Sequence, residues 1–240
     1  MGFLDFFTGG SPQKQIDGIK RRLMDAFRQS DERYECMDKL AKIGTPDALD
    51  ALLDRFTMRV NGPTVDEEEK AYAHKLVSRW GDAAVEPLKK FIATHDAVYF
   101  PLKSLRELAG DDAAVEALMQ AMDGTDPGYH EGLERLREIV SNLRDFQHPR
   151  VRDALVALLA SRSNEIRFFA LDGLSGYPAD EIAQHFAARL LDPDESQRVK
   201  QLALELLVDK QISMAAWADA LAPSMPPMYR LDPAGLVQRK

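Results

Sequence analysis

The chain has a single cysteine, Cys36, among its 240 residues. One thiol cannot form an internal disulfide, so a disulfide-stapled secreted fold is excluded and a reducing compartment is expected. Cys36 stands next to Met37 in the apolar stripe of a predicted helix, which indicates a buried packing residue rather than a reactive thiol. We therefore expect a cytoplasmic protein.

The sequence also lacks long apolar segments and long basic runs. No apolar run approaches the roughly 18 to 20 residues that span a bilayer, so no transmembrane segment is predicted. Acidic residues outnumber basic residues by 39 to 31, which gives a net charge of −8 and a pI near 5.2. The longest basic run is Lys20-Arg21-Arg22. Because such a surface repels a phosphate backbone, no nucleic-acid partner is expected.

What the sequence does contain is a series of amphipathic helix pairs. Apolar residues recur at positions i, i+3, i+4 and i+7, and Gly, Pro or acidic turns separate the helices. Clear pairs cover 31–56, 67–93 and 164–191, and the layout recurs every 30 to 37 residues or so. No β-strand is predicted. The pattern predicts an all-α fold, an α-solenoid of about six helix pairs.

The chain divides by composition into three segments. Residues 1–29 hold an apolar N-terminal stretch, a Gly-rich hinge and a helix that caps the first repeat. Residues 30–222 hold the repeats. Residues 223–240 form a Pro-rich tail that we expect to run extended, because its prolines interrupt a helix.

The N-terminal stretch concentrates aromatic residues, with Phe3, Phe6 and Phe7 just before the hinge. Its apolar part is too short for a signal peptide and no basic residue precedes it. Exposed phenylalanines lower solubility, so we expect them to pack on this chain or to dock elsewhere. Docking would use a partner's groove or, with the basic residues 20–22, a membrane surface. These three phenylalanines are candidate partner contacts.

Three stretches carry a family resemblance: Leu40–Leu49, His148–Arg152 and Asn164–Arg167. They resemble the HEAT repeat, an armadillo-like motif, particularly the short bacterial type also found in phycobilisome bilin lyases. The resemblance covers residues 30–222 or so. It implies a curved, right-handed α-solenoid whose second helices line the concave side. It also implies a protein-binding scaffold, the role of most proteins of this class.

The concave row of second helices is the expected contact surface for another protein. Helical phase places eight polar side chains on its exposed face. These candidate partner contacts are Asp50, Asp54, Lys89, Lys90, Glu116, Arg152, Gln184 and Arg189.

Some proteins with this repeat type are enzymes. Deoxyhypusine hydroxylases carry several His-Glu pairs for a di-iron site, whereas this chain has one such pair, His130-Glu131. Alkylpurine DNA glycosylases present a cationic concave face, which the acidic second helices here oppose. We therefore predict no catalytic residue, cofactor or metal. A lyase-type enzyme or enzyme subunit stays open as the alternative, and a nucleic-acid binder is a less favoured one.

Overall fold

The computed structural model describes residues 11–125 and 130–240, and most of their regular structure is helical. The predicted all-α fold of helix pairs is therefore confirmed. The candidate contacts Phe3, Phe6 and Phe7 lie outside the described residues. The helices are α1 (Pro12–Leu23), α2 (Ser30–Ile43), α3 (Pro46–Leu53), α4 (Pro63–Val77), α5 (Val85–Thr94), α6 (Tyr99–Asp123), α7 (His130–Leu143), α8 (Pro149–Leu158), α9 (Asn164–Leu174), α10 (Ala179–Leu191), α11 (Gln197–Lys210) and α12 (Ala218–Leu221).

Local chemistry explains where the helices of a pair meet. Gly44 ends α2 in the left-handed conformation, with φ of 69°, which costs glycine little. The Thr45 hydroxyl then accepts a hydrogen bond from the Ala48 amide, and Pro46 opens α3. Gly110, with φ of 81° and ψ of 179°, adopts an extended conformation open only to glycine and divides α6 into the two members of the third pair.

The chain divides after Gly124 into two compact units. In the N-terminal unit, α1 packs against α2 and α3 and so covers the exposed side of the first pair. The first helices of successive pairs, α2, α4 and α6, contact one another in that order, and the second helices α3 and α5 also touch. The core of this unit includes the fully buried Leu23, Leu40, Leu52, Leu76, Leu88 and Leu105.

The C-terminal unit repeats this arrangement. The first helices α7, α9 and α11 contact one another in order, while α8 packs on α9, and α10 packs on α11 and α12. The last pair is abbreviated, because its second helix is reduced to a 3₁₀ turn, Ala215–Trp217, and the single turn of α12. The core includes Val151, Leu155, Leu171, Phe186, Val199 and Leu207.

The tail corrects the prediction that the chain has no strand. Strands β1 (Tyr229–Leu231) and β2 (Val237–Arg239) form an antiparallel hairpin, and β2 packs on α11. Tyr229 and Val237 point into the unit and are 3% and 0% exposed. The turn sequence, Asp232 to Gly235, has Asp first, Pro second and Gly fourth, as type I turns prefer. The local signal for a hairpin was therefore present, and the neighbouring prolines masked it.

Gly235 fastens this hairpin to the segment before α12. It has φ of 76°, and a Cβ at this position would lie 2.3 Å from the backbone nitrogen of Ala215. Its carbonyl accepts a hydrogen bond of 2.8 Å from the Met214 amide. The close approach requires glycine, so the tail is an integral part of the C-terminal unit rather than a loose extension.

Candidate functional site: a groove between α8 and α10

Two adjoining hollows, of about 360 and 190 Å³, lie along α8 and α10 in the C-terminal unit. Val156 and His185 line both hollows, so they form one surface, called here the α8–α10 groove. Three candidate contacts predicted by helical phase come together there: Arg152, Gln184 and Arg189. The remaining described residues of the groove are Asp153, Leu159, Ala160, Glu181 and Ala188.

Helical periodicity brings these side chains to one surface. Along α10 the groove residues fall at 181, 184, 185, 188 and 189, which are the i, i+3, i+4, i+7 and i+8 positions of one helix face. The other face of α10 carries the buried Ile182 and Phe186, which hold the helix on the core. Because the apolar face of α10 packs on the core, the opposite face with the groove residues is turned outward.

Arg152 links the two walls at one end of the groove. Its guanidinium donates to the Glu181 carboxylate on α10 and, at 2.9 Å, to Asp153 on its own helix. The hydrogen bond to Glu181 and then that to Asp153 raise the pKa of Arg152. Because Asp153 remains 69% exposed, part of this charge cluster faces solvent.

Arg189 occupies the other end and belongs to a second ion cluster. It donates to the Leu159 carbonyl at 3.3 Å and to the Glu195 carboxylate at 3.2 Å. Arg167, on α9, holds the same carboxylate with contacts of 2.7 to 3.1 Å. We call Arg167, Arg189 and Glu195 the Glu195 clasp. Burial alone would raise the pKa of Glu195, but the hydrogen bond from Arg167 and its other contacts outweigh burial and lower it.

His185 lies half-buried between the two ends of the groove. Burial and then the positive charge of Arg189 lower the pKa of this imidazole. The ring is therefore neutral near pH 7 and presents one donor and one acceptor. The groove combines neutral polar groups and small exposed side chains, Ala160 and Ala188, with ion pairs at both ends.

The candidate contacts of the N-terminal unit are arranged differently. Asp50 and Lys90 are exposed. Asp54 pairs with Lys20 on the capping helix, and the Lys89 ammonium lies 2.8 Å from Glu116 on the next pair. A hollow of about 350 Å³ in this unit lies elsewhere, beside Asp38, Lys42 and Trp80. That a partner contacts the five candidates of this unit stays a prediction; they are Asp50, Asp54, Lys89, Lys90 and Glu116.

The N-terminal unit also contains a buried ion cluster that sequence reasoning missed. Glu69 is fully buried and accepts hydrogen bonds from Arg33 at 2.7 and 2.8 Å and from Arg55 at 2.9 and 3.0 Å. Ser30 donates a further bond of 2.7 Å. We call Arg33, Arg55 and Glu69 the Glu69 clasp. Burial alone would raise the pKa of Glu69, but the bonds from Arg33, Ser30 and Arg55 outweigh it and lower the pKa.

The sequence signal for this clasp was Arg33 itself. It occupies the same helix face as the buried Cys36, Met37 and Leu40, at the i, i+3, i+4 and i+7 positions of α2. An arginine in an apolar stripe requires a buried carboxylate partner. Glu69 is the last residue of the acidic run 66–69, and it points inward to meet Arg33.

Two further findings concern metals and membranes. Within residues 11–125 and 130–240, no three His, Cys, Asp or Glu side chains are grouped so that they could hold a metal ion. In the same part of the chain, no helix combines the length and the apolar character needed to cross a bilayer.

Comparison with known proteins finds one stretch of the chain that is similar to a described repeat family. Residues 32–56, which include most of α2 and all of α3, match the family described as PBS lyase HEAT-like repeat. One solved structure of an engineered protein is similar at 18% identity, covers 87% of this chain and 61% of its own, and has a TM-score of 0.41. A second engineered protein is 15% identical, covers 88% of this chain and 85% of its own, and has a TM-score of 0.26. No curated protein matches the chain. The chain therefore contains one repeat that is similar to this family, and further helix pairs follow it.

Proposed function

We propose that the protein is a non-catalytic scaffold that binds a segment of another protein in the α8–α10 groove. The observation that carries this proposal is the convergence of Arg152, Gln184 and Arg189 around one open surface. Helical repeats commonly present such surfaces to partners, because stacked helices leave one exposed row along the array.

The composition of the groove suits a protein segment. Ala160 and Ala188 are exposed and small, so they leave room for a partner's side chains. Arginine is enriched at energetic centres of interfaces, and one arginine stands at each end of this groove. Asp153 and Glu181 add acceptors that would pair with backbone amides or basic side chains. The five candidates of the N-terminal unit would extend the contact to a second region of the partner.

A matched pair of tryptophan substitutions tests the proposal. Ala188→Trp fills the groove, whereas Ala179→Trp places the same side chain at the exposed start of the same helix. The natural partner is isolated from the source cells on each variant and quantified by mass spectrometry. We expect Ala179→Trp to retain the partner like the unmodified chain and Ala188→Trp to lose about tenfold or more, a change of about 1.4 kcal/mol. Equal retention by the two variants would contradict the proposal.

A lyase-type activity is the alternative that the description of the matched repeat favours. An enzyme of that kind needs an enclosed apolar site for its substrate. The α8–α10 groove is open, and charged side chains, among them Arg152, Glu181 and Arg189, form part of its lining. Stable retention of a small chromophore by the purified chain, together with loss of the protein partner, would favour the lyase alternative over the scaffold.

A further inference from the structure

A separate cavity lies in the C-terminal unit, between α10, α11 and the segment that follows α12. Its volume is about 120 Å³. For scale, a buried cavity of about 150 Å³ in another protein holds benzene. Much of its wall is apolar, formed by Leu190, Leu204, Leu221 and Met225. The space therefore suits an apolar group of about four to six carbon atoms.

One cation stands in this apolar wall. Lys200 is the sole charged residue among the described residues that line the cavity, and no carboxylate of the described residues lies within ion-pair distance of it. Lys200 lies near the start of α11, whose first turn contains no acidic residue. A helix N-terminus is already positive. The mouth of the cavity therefore favours an anionic group.

The other polar groups of the wall define which donors remain for a ligand. The Gln201 amide donates to Glu205 at 2.8 Å and to the Tyr229 hydroxyl at 3.0 Å, which joins α11 to the hairpin. The Ser224 hydroxyl donates to the Leu221 carbonyl at 3.1 Å. Lys200 and Gln197, one helical turn apart on α11, are the lining side chains left to receive an anion.

We propose that this cavity binds a small apolar carboxylate. The four- to six-carbon group packs against Leu204, Leu221 and Met225, and the carboxylate accepts hydrogen bonds from the Lys200 ammonium and the Gln197 amide. This chemistry is shared by free short-chain acids and by the C-terminal residue of a peptide that ends in leucine. The site is distinct from the α8–α10 groove, so it stands whether or not the scaffold proposal does.

The first experiment compares two probes of nearly equal shape. The intact chain, labelled with ¹⁵N, is titrated with 4-methylpentanoate and with the uncharged 4-methylpentanamide, and amide shifts are followed by NMR. For a ligand of this size we expect a Kd of about a millimolar or somewhat below. The acid should shift the backbone amide signals of residues 197–204 and 221–226. The uncharged 4-methylpentanamide should bind at least about tenfold more weakly than the acid. Equal binding of acid and amide would overturn the proposal, as would the lack of saturation by the acid at about 20 mM.

Variants keep the test specific to the cavity. Lys200→Gln should reduce affinity for the acid about tenfold and leave affinity for the amide unchanged. Lys210→Gln removes an exposed lysine from the other end of α11 and should change neither. Met225→Trp should abolish binding of both probes by filling the space, although Lys200 is intact. If Lys200→Gln binds the acid as the unmodified chain does, the proposal is wrong.

A third probe, N-acetyl-leucine, distinguishes the two sources of the carboxylate. Binding at least as tight as that of 4-methylpentanoate would identify a peptide C-terminus as the natural ligand. Binding of the free acid alone would identify a short-chain acid. If neither probe binds in a manner that depends on Lys200, the proposal fails.

Discussion

The two compact units each hold one glutamate between two arginines, and in both units the arginines come from one helix pair and the glutamate from the start of the next. In the N-terminal unit, Arg33 comes from the first helix of a pair and Arg55 from the turn after its second helix. Their partner Glu69 lies on the first helix of the next pair. In the C-terminal unit, Arg167 and Arg189 come from the first and second helices of one pair, and Glu195 lies just before the next first helix.

The clasps differ in how far their arginines reach solvent. The side chains of Arg33 and Arg55 are 4% and 0% exposed, whereas those of Arg167 and Arg189 are 12% and 21% exposed. The Glu69 clasp holds neighbouring repeats together, but its buried arginines are not accessible to a binding partner. The Glu195 clasp opens into the α8–α10 groove through Arg189, so the same device both joins repeats and presents a cation. The difference explains why the proposed contact lies in the C-terminal unit.

The largest effect is expected from Glu69→Ala. Removing this carboxylate deprives two buried guanidinium groups of the anion that they share. Breaking a buried ion pair in this way typically destabilises a protein by about 3 to 5 kcal/mol. The measurement is the free energy of unfolding from urea denaturation, followed for the N-terminal unit by hydrogen exchange. Glu67→Ala, at an exposed position of the same helix, is the control and should change the free energy by less than about 0.5 kcal/mol. Similar losses for the two variants would mean that the clasp does not stabilise the unit.

Glu195→Ala should cost less, about 1 to 3 kcal/mol, because water can partly solvate the arginines that it leaves. The same denaturation experiment, followed by hydrogen exchange in the C-terminal unit, gives the value. A cost equal to or above that of Glu69→Ala would show that the two clasps are not distinguished by exposure. The comparison between the units would then be wrong.

Acidification should act on each unit through one histidine, His185 in the C-terminal unit and His74 in the N-terminal unit, because burial lowers the pKa of both. His185 in the C-terminal unit has a lowered pKa, chiefly because of burial. Its contribution to stability is therefore complete above the unfolded pKa of about 6.5 and is lost as the pH falls through the lower folded value. Urea denaturation between about pH 7.5 and pH 5 should show His185→Gln with a shallower loss of stability than the unmodified chain. Gln120→Ala, at an exposed position and with no change of titratable group, should follow the unmodified chain.

The smallest effect is expected for the ion pair across the groove. A double-mutant cycle with Arg152→Ala and Glu181→Ala should give a coupling energy of about 0.2 to 1 kcal/mol, since both side chains are about one-third exposed. Thermal or urea unfolding of the four proteins measures it. A coupling above about 2 kcal/mol would mean that this pair is structural and not available to a partner.

Local signals predicted much of the fold. The helix boundary at Gly44-Thr45-Pro46 could be predicted because caps and glycine conformations depend on adjacent residues. Helical phase placed Arg152, Gln184 and Arg189 on exposed helix faces, and the positions of α8 and α10 in the structure bring them to one surface. The clasps could not be predicted in this way, because Arg33 and Glu69 are separated by 36 positions and meet only when repeats stack. The same limitation applies to Lys89, an expected free contact that pairs with Glu116 of the next repeat.

The most direct measurement places a photo-crosslinking amino acid at Gln184 in the groove or, as a control, at the exposed Asp209 on α11. Both proteins are produced in the source cells, irradiated and analysed by mass spectrometry. We expect a covalent adduct between the probe at position 184 and another protein, with little or none from position 209. Equal labelling from the two positions, or labelling from position 209 alone, would contradict the assignment of the α8–α10 groove as the partner-binding surface.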